Sequence, residues 1–193
     1  GTRIASLLAE EGVRLTAGSV GGRRTSVATS TLDVTGAATY SFNLIWELSV
    51  SQPLEGLTHV HTGSIAATLE PGSCAVLQTL RSARPNATIS YDPNVRPPLM
   101  GKAHEVRAKI EQLIRLSDVV KASDEDITWL YDGTPLSDVL RFWAQLGPAL
   151  VVMTRGDKGA AIGLSLAGEI ASVDAPVVEV VDTVGAGDSF MAG

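Results

Sequence analysis

The sequence is poor in cysteine and in long apolar runs, and each shortage excludes a class of protein. One of its 193 residues is a cysteine, Cys74, which excludes a disulfide framework and a cysteine-based metal site. No run of about 18 apolar residues occurs, the length that a membrane-spanning helix needs. The charges within Gly1–Leu15 are unlike a signal peptide. We therefore expect no membrane partner and a reducing, cytoplasmic location, with Cys74 buried as a small hydrophobic side chain.

Basic residues are also in short supply. The chain has 15 Lys and Arg against 21 Asp and Glu, a formal net charge of −6, and no basic run. Nucleic-acid binders need the opposite balance to hold phosphate backbones, so no nucleic-acid partner is expected. The apolar content of 45% excludes a disordered chain and is sufficient for a globular core.

Both ends of the chain have the character of interior sequence. The first residue is Gly1 rather than Met, and Gly193 follows shortly after a Gly-rich turn that opens a helix. A helix so short is not stable alone. We therefore expect residues 1–193 to be one partial domain of a longer protein.

Near the beginning, Thr- and Val-rich alternation predicts a hairpin over residues 24–46. Arg24–Asp33 and Ala38–Ile45 are the predicted strands, and Thr35-Gly36 is the turn between them. A short helix ended by Gly12 comes before the hairpin. Polar and apolar residues occur on both faces of these strands, which favours a flap or lid over a core sheet.

From about residue 56, strands alternate with helices. Leu150–Thr154 is a continuous apolar run of the kind that is buried on both faces of a sheet. Helical spacing is clearest over 101–117. Further helices are predicted over 71–82, 123–131 (with Ser123 as N-cap) and 136–143, and further strands over 58–63, 87–91, 118–122, 159–164, 169–173 and 177–181. This alternation predicts an α/β fold with a mostly parallel sheet covered by helices, whose ligands bind at the carboxyl ends of the strands.

The last turn carries the most chemical information. A strand leads into Gly185-Ala186-Gly187, and a helix is expected to begin there. Free backbone N–H groups and the helix dipole make such a turn an anion-binding site. The carboxylate of Asp188 would repel a bound phosphate, so its presence favours a base that takes a proton from an attacking hydroxyl. The alternative is that Asp188 only caps the helix.

Two other phosphate-binding motifs do not fit this turn. A dinucleotide fingerprint needs a third glycine at position 190, which is Phe190. No G-x-x-x-x-G-K-[ST] sequence occurs, which excludes a Walker-type site. A separate candidate is Arg96, which follows a predicted strand; its guanidinium would contact a phosphate or an acidic sugar, or else form a surface salt bridge.

Four segments of the sequence resemble the ribokinase-like (PfkB) carbohydrate kinases. The residues from Asp182 to Phe190, DTVGAGDSF, are similar to the C-terminal signature of that family. DPNVR at Asp92–Arg96 resembles a motif of its fructokinase and 2-keto-3-deoxygluconate kinase branch. KASDED at Lys121–Asp126 and VMTRGDKG at Val152–Gly159 resemble two further family segments in the same order. The resemblance covers the whole chain and implies a three-layer fold with a mostly parallel central sheet, helices on both faces and a small β-sheet lid.

The resemblance also implies a role for each candidate residue. Asp188 would be the catalytic base, and Gly185, Ala186 and Gly187 would form the anion hole. Thr154 and Gly156 would contact ATP phosphates; the alternative for Thr154 is a strand-end hydroxyl bonded to the backbone. Ser123 would lie near Mg-ATP, and Asp126 or Glu125 would be a Mg²⁺ ligand. Asp182 and Thr183 would orient the turn, and in some members of the family the residues at these positions help to hold K⁺. Ser123 and Asp126 depart from the family's commoner Asn and Glu.

The function implied is ATP-dependent phosphorylation of a sugar primary hydroxyl, with fructose or a related ketose as the first choice of acceptor. A 2-keto-3-deoxy sugar acid and a nucleoside are the alternative acceptors, and a non-catalytic ribokinase-like binding protein is the alternative class. ATP and Mg²⁺ are the implied cofactors. A homodimer through the β-lid is the implied assembly, because exposed apolar residues are expected on that hairpin.

Overall fold

A computed structural model describes residues 1–21, 24–32, 38–48, 55–164, 170–179 and 185–193. Contacts within the chain separate it into two compact units. The first comprises Gly1–Glu47 and Ser51–Pro53, and the second comprises Leu48–Val50 and Leu54–Gly193.

The first unit contains one helix and the predicted hairpin. Helix α1 spans Thr2–Glu10. Gly12, the glycine expected to stop this helix, follows it with a φ of 73°, a left-handed conformation that favours glycine. Strand β1 (Val27–Leu32) pairs antiparallel with β2 (Ala38–Asn43). The predicted turn, Thr35-Gly36, lies outside the described residues. The small antiparallel sheet is confirmed.

The second unit contains a six-stranded sheet in the order β3-β4-β5-β6-β7-β8. The first four strands are parallel, and the last two continue the sheet antiparallel. The strands are β3 (His59–Gly63), β4 (Thr88–Asp92), β5 (Val119–Ser123), β6 (Leu150–Thr154), β7 (Ala160–Leu164) and β8 (Ile170–Val173). The predicted mostly parallel sheet is therefore confirmed. No strand is present in the described part of the predicted 177–181 segment, which ends at residue 179.

Helices cover this sheet and bury the core against it. They are α2 (Gly72–Ala83), α3 (Pro97–Met100), α4 (Ala103–Ile114), α5 (Asp124–Leu130), α6 (Leu136–Gln145) and α7 (Ala186–Ala192). Helix α6 packs on β6 and β7, where Trp143 is fully buried. The short helix α3 was not among the predicted helices. In the described part of the chain, no helix is long and apolar enough to cross a membrane.

The expected burial of Cys74 is wrong. Helix α2 turns Val76 and Leu80 into the core, and Cys74 lies on the exposed face of the same helix. Its thiol donates a hydrogen bond to the Glu70 carboxylate at 3.2 Å. Cys74 precedes the buried Val76 by two positions. Because successive residues of a helix are rotated by about 100°, the two side chains point to nearly opposite faces.

Candidate active site

The parallel strands place their carboxyl ends along one edge of the sheet. In the register of the sheet, Gly63 at the end of β3 lies beside Asp92 at the end of β4, and Ser123 lies beside Thr154. A cleft of about 650 Å³ opens at this edge. Its walls are formed by Asn94, Val95, Arg96, Pro97, Lys121, Ser123, Glu125, Asp126, Trp129, Thr154, Gly185, Gly187 and Asp188. The structure thus gathers most of the predicted site residues into one concave surface.

The start of α7 forms one wall of the cleft. Gly185 precedes the helix in a left-handed conformation with φ of 77°, and the Ser189 amide donates to its carbonyl at 2.8 Å. Asp188 is in the first turn and is exposed at the cleft. The N-cap residue of α7 is Gly185, so no side chain caps the helix among the described residues. The geometry therefore favours a carboxylate that is available to a ligand over a simple helix cap.

A buried ion pair lies beneath this wall. Lys121 Nζ is 3.0 Å from Asp92 Oδ2, and the two side chains are 6% and 5% exposed. The second oxygen of Asp92 accepts the Asn94 amide at 3.0 Å. Burial raises the pKa of Asp92 above its ordinary value, and the adjacent Lys121 opposes that increase. The pair therefore fixes one positive and one negative charge at the floor of the cleft.

Lys121 also borders α7. A Cβ atom placed on Gly187 would lie 2.9 Å from Lys121 Nζ, closer than real Cβ contacts. Three residues that line or underlie the cleft were not predicted as site residues from the sequence: Lys121, Asp92 and Trp129. For Lys121 a signal was available: it stands within the otherwise apolar Val119–Ala122 run of a strand, and a charge there requires a partner.

Asp126 has a different environment from the one expected of a metal ligand. Its Oδ2 accepts the Ser123 amide and its Oδ1 accepts the Val95 amide, both at 2.8 Å. Ser123 Oγ in turn accepts the Asp126 amide at 3.1 Å, completing a capping box at α5. The predicted N-cap role of Ser123 is confirmed. Both Asp126 oxygens already have backbone partners, whereas the neighbouring Glu125 is exposed at the cleft, so Glu125 is the carboxylate of the two that is open to a ligand.

Arg96 and Thr154 both line the cleft. Arg96 is exposed, and its Nη1 donates to the carbonyls of Val95 at 2.9 Å and Asn94 at 3.3 Å. It forms no ion pair among the described residues. Thr154 Oγ1 donates to the Ala122 carbonyl at 3.4 Å, a long bond that leaves its lone pairs open to a ligand.

A second, mainly apolar groove of about 490 Å³ adjoins the cleft. Thr154 and Gly187 line both cavities, and Gly156 and Ala186 line only the groove. Its other walls come from Val152, Gly159, Ala160, Ile162, Val173, Asp174, Ala175, Pro176 and Phe190. The predicted phosphate ligand Gly156 is thus placed at the groove. Asp182 and Thr183, the predicted cation and orienting residues, lie outside the described residues.

Strand β3 carries two histidines that contact a hydroxyl group on the neighbouring strand β4. His59 Nε2 and His61 Nδ1 each lie 2.8 Å from the Ser90 hydroxyl. Burial lowers the pKa of His61, and the charges of Asp92 and Asp188 act in the opposite direction. Among the described residues, no group of three or more His, Cys, Asp or Glu side chains is arranged to hold a metal ion.

Comparison with known proteins identifies the family. The model of the pfkB family carbohydrate kinases matches residues 1–193. The chain is 29% identical over 179 residues to a fructokinase of Klebsiella pneumoniae, which covers 89% of this chain and 58% of the relative. It is 32% identical over 167 residues to a fructokinase of Rhizobium leguminosarum bv. trifolii, covering 83% of this chain and 51% of the relative. The chain thus spans little more than half the length of these curated relatives.

Solved structures agree with the fold. The apo fructokinase from Vibrio cholerae O395 matches with a TM-score of 0.81 and 26% identity over 100% of this chain and 68% of that one. The aminoimidazole riboside kinase from Salmonella enterica, complexed with aminoimidazole riboside and an ATP analogue, matches with a TM-score of 0.64 and 27% identity, over 71% of this chain and 47% of that one. The chain belongs to the pfkB family of carbohydrate kinases.

Proposed function

We propose that this chain carries the phosphoryl-transfer site of an ATP-dependent sugar kinase that phosphorylates a primary hydroxyl of fructose or a related ketose. The observation that carries the proposal is the position of Asp188, exposed in the first turn of α7 on the wall of a charged cleft. Relatives of the same family that are named fructokinases support the acceptor.

The two adjoining cavities suit the two parts of ATP. The apolar groove suits a purine ring, and the polar cleft suits phosphates and a sugar. Thr154 and Gly187 line both cavities, so they stand where the triphosphate would cross from one to the other. The amides of Gly185, Ala186 and Gly187 would then face the transferring group, with Gly156 near the nucleotide and Ser123 at the cleft.

In the proposed reaction, Asp188 accepts the proton of the attacking hydroxyl. The hydroxyl oxygen forms a bond to the γ-phosphorus while the bond from that phosphorus to the bridging oxygen breaks, and ADP leaves. The backbone amides of the Gly185–Gly187 turn stabilise the charge on the phosphoryl oxygens. An exposed carboxylate at the cleft fits Mg²⁺, which binds proteins through one or two carboxylates while keeping water and phosphate ligands. Glu125 meets this requirement, and Mg²⁺ would neutralise phosphate charge there. K⁺ binding near Asp182 and Thr183 stays a prediction.

A second acceptor is favoured by Arg96. Its exposed guanidinium lines the cleft without an acidic partner among the described residues. A 2-keto-3-deoxy sugar acid carries a carboxylate that Arg96 would bind in a two-point contact. An acceptor panel of fructose, such a sugar acid and a riboside separates these substrates.

The test is ADP release by the full-length protein with each acceptor, followed by Asp188→Asn. We expect kcat to fall by about 100-fold or more, because general-base catalysis contributes on that scale. Asp132→Asn is the matched control, since Asp132 is an exposed loop residue that does not line the cleft. Unchanged turnover by Asp188→Asn would remove this residue from the mechanism, and no turnover with any acceptor would favour the non-catalytic binding protein.

The remaining expectations about the whole protein stay predictions. They are a lid role for residues 24–46, a homodimer through that hairpin, a cytoplasmic location and the lack of a nucleic-acid partner. Val27 and Ile45 on the hairpin unit are 52% and 49% exposed, which supports a contact with a second copy. The mass of the full-length protein in solution, measured by light scattering, tests the dimer.

A further inference from the structure

Among the described residues, two non-glycine residues have a positive φ, and they contact each other at the edge of the sheet. Ser64, directly after β3, has a φ of 52°, and Asn94, two residues after β4, has a φ of 37°. The Ser64 hydroxyl donates to the Asn94 carbonyl at 3.1 Å. A left-handed backbone costs free energy for any residue with a side chain, and such residues concentrate at functional sites. Two of them in contact indicate a segment whose conformation serves the site.

The ends of β3 and β4 approach each other closely at this point. Gly63 lies beside Asp92 in the register of the sheet, and a Cβ atom on Gly63 would be 2.6 Å from the Asp92 carbonyl oxygen. The backbone of Gly63 is extended, so glycine is needed there for space and not for its conformational freedom. This close approach brings the Ser64 hydroxyl within reach of the loop that follows β4.

Side chains hold the main-chain polar groups of Asn94 and Val95. The Asn94 amide donates to Asp92 Oδ1 at 3.0 Å, and the Val95 amide donates to Asp126 Oδ1 at 2.8 Å. The carbonyls of Asn94 and Val95 both accept Arg96 Nη1, at 3.3 Å and 2.9 Å. The segment is therefore fixed by its neighbours, and the Arg96 guanidinium is anchored to it.

This anchoring leaves one edge of the Arg96 guanidinium free. The group carries five N–H donors in a planar fork, and its contacts with the two carbonyls use only Nη1. Within the described part of the chain, Nε and Nη2 form no hydrogen bond or ion pair. Arg96 is exposed and lines the cleft. Nε and Nη2 form an edge with which arginine can bind a carboxylate or a phosphate at two points.

We propose that Ser64 is a positioning residue for Arg96. Its hydroxyl and the left-handed Asn94 orient the carbonyls that anchor Nη1, so that the free edge of the guanidinium is presented to an oxyanion in the cleft. The inference rests on the proposed function, in which Arg96 contacts a ligand. The oxyanion is the carboxylate of an acidic acceptor or a phosphate of the nucleotide, and the experiment distinguishes the two. An anchored side chain loses less conformational entropy on binding than a mobile one.

The competing explanation is a turn that only closes the ends of two strands. Such a turn would change stability when altered but would weaken no ligand selectively. A positioning residue instead acts through Arg96. Its removal should therefore weaken only the ligands that Arg96 binds, and should have no effect once Arg96 is replaced.

The experiment measures binding to the full-length protein by calorimetry. The charged probes are 2-keto-3-deoxygluconate and the imido-bridged, non-hydrolysable ATP analogue, and fructose and adenosine are their uncharged counterparts. Arg96→Met identifies the charged probe that this residue binds, whose affinity should fall by about 10- to 100-fold, the scale of hydrogen bonds to a charged group.

Ser64→Ala should weaken the same probe by about 3- to 10-fold, the scale of one neutral hydrogen bond, and should change the uncharged probes by less than about 2-fold. In the Arg96→Met background, Ser64→Ala should change the affinity for that probe by less than about 2-fold, because the residue through which it acts is gone. Dependence of the sugar acid on Arg96 identifies the acceptor carboxylate as the oxyanion, and dependence of the analogue identifies a phosphate.

A second variant separates binding from stability. Ser64→Gly removes the same hydroxyl but accommodates the φ of 52° without strain, so its Tm should exceed that of Ser64→Ala by roughly 2–4 °C. Both variants should nevertheless lose the same affinity for the probe that Arg96 binds, which a purely structural turn does not predict. Ser137→Ala alters an exposed serine that does not line the cleft and should leave every affinity unchanged.

Several results would overturn the inference. One is unchanged affinity for the Arg96-dependent probe in both Ser64 variants, and another is an equal loss for charged and uncharged probes. A third is an undiminished effect of Ser64→Ala in the Arg96→Met background. A wild type in which neither charged probe depends on Arg96 overturns it as well.

The outcomes also separate this inference from the proposed function. If the wild type turns over no acceptor but a charged probe loses affinity through Ser64 and Arg96, the kinase proposal fails and the positioning role of Ser64 stands. If the wild type is an active kinase and both Ser64 variants keep the affinities of all probes, the inference fails alone.

Discussion

Gly187→Ala tests the contact between α7 and the buried ion pair. The new Cβ would lie 2.9 Å from Lys121 Nζ and 4.0 Å from its Cε, so only the ammonium is too close. Restoring an ordinary contact requires a displacement of about 0.5 Å. If Nζ moves away from Asp92 by that amount, from 3.0 Å to about 3.5 Å, the Coulomb attraction weakens by about 0.8 kcal/mol at an effective dielectric constant of about 20.

The same substitution has a favourable component. Alanine stabilises a helix by about 0.5–1 kcal/mol relative to glycine, and φ at Gly187 is not in the left-handed region. In the wild-type background we therefore expect the two effects nearly to cancel in the free energy of unfolding. In a Lys121→Met background, which ends at an atom equivalent to Cε, Gly187→Ala should stabilise the protein by about 0.5–1 kcal/mol.

The assay is a double-mutant cycle in thermal unfolding of the full-length protein. A coupling of about 0.8 kcal/mol corresponds to a difference of roughly 2–3 °C in Tm between the two backgrounds for a unit of this size. Where the start of α7 rather than Nζ takes up the displacement, activity should respond more strongly than stability, because a shift of about 0.5 Å at Asp188 costs about 10-fold in kcat. An identical effect of Gly187→Ala on Tm in both backgrounds would refute the contact.

Two further predictions concern a helix cap at the cleft and an ion pair that does not line it. Ser123→Ala removes the hydroxyl that caps α5 and should lower the free energy of unfolding by about 1 kcal/mol, measured by denaturant titration; an effect below about 0.3 kcal/mol would contradict the capping box. The hydrogen bond from Lys109 lowers the pKa of Glu70 from 4.5 to about 2. This carboxylate stabilises the fold above pH 4.5 and loses its contribution as the pH falls towards 2. Because Glu70 is 55% exposed, Glu70→Gln should remove less than about 1 kcal/mol at pH 7 and flatten the pH dependence of unfolding in that range; an unaltered pH profile would disprove the effect.

The sequence was sufficient to predict those elements whose formation depends on residues close to one another along the chain. The apolar run Leu150–Thr154 was predicted with the bounds the structure has, because a strand buried on both faces has no polar interruption. Ser123 was predicted as an N-cap because serine is a favoured residue immediately before a helix. The position of Asp188 at a cleft followed from the rule that parallel strands end at one edge.

Features that depend on pairing between distant segments were missed. Asp92 and Lys121 are 29 residues apart and meet only because β4 and β5 are neighbours in the sheet, an order that the spacing of apolar residues does not fix. The apolar groove is formed jointly by β6, β7, β8 and α7, so no single segment encodes it. The burial of Cys74 was mispredicted for a local reason. It was inferred from the residue type alone, whereas the position of Cys74 on α2 relative to the buried residues of that helix decides that it faces solvent.

The groups of the candidate site are held with unequal rigidity. Asp92, Lys121 and Asp126 are buried, and each is fixed by packing and by hydrogen bonds of 2.8–3.0 Å. Asp188 instead is exposed in the first turn of α7. The approach of Lys121 to Gly187 therefore connects the helix that carries the exposed carboxylate to the buried ion pair. A ligand that contacts both elements would strengthen this connection and would stabilise the protein by its binding free energy.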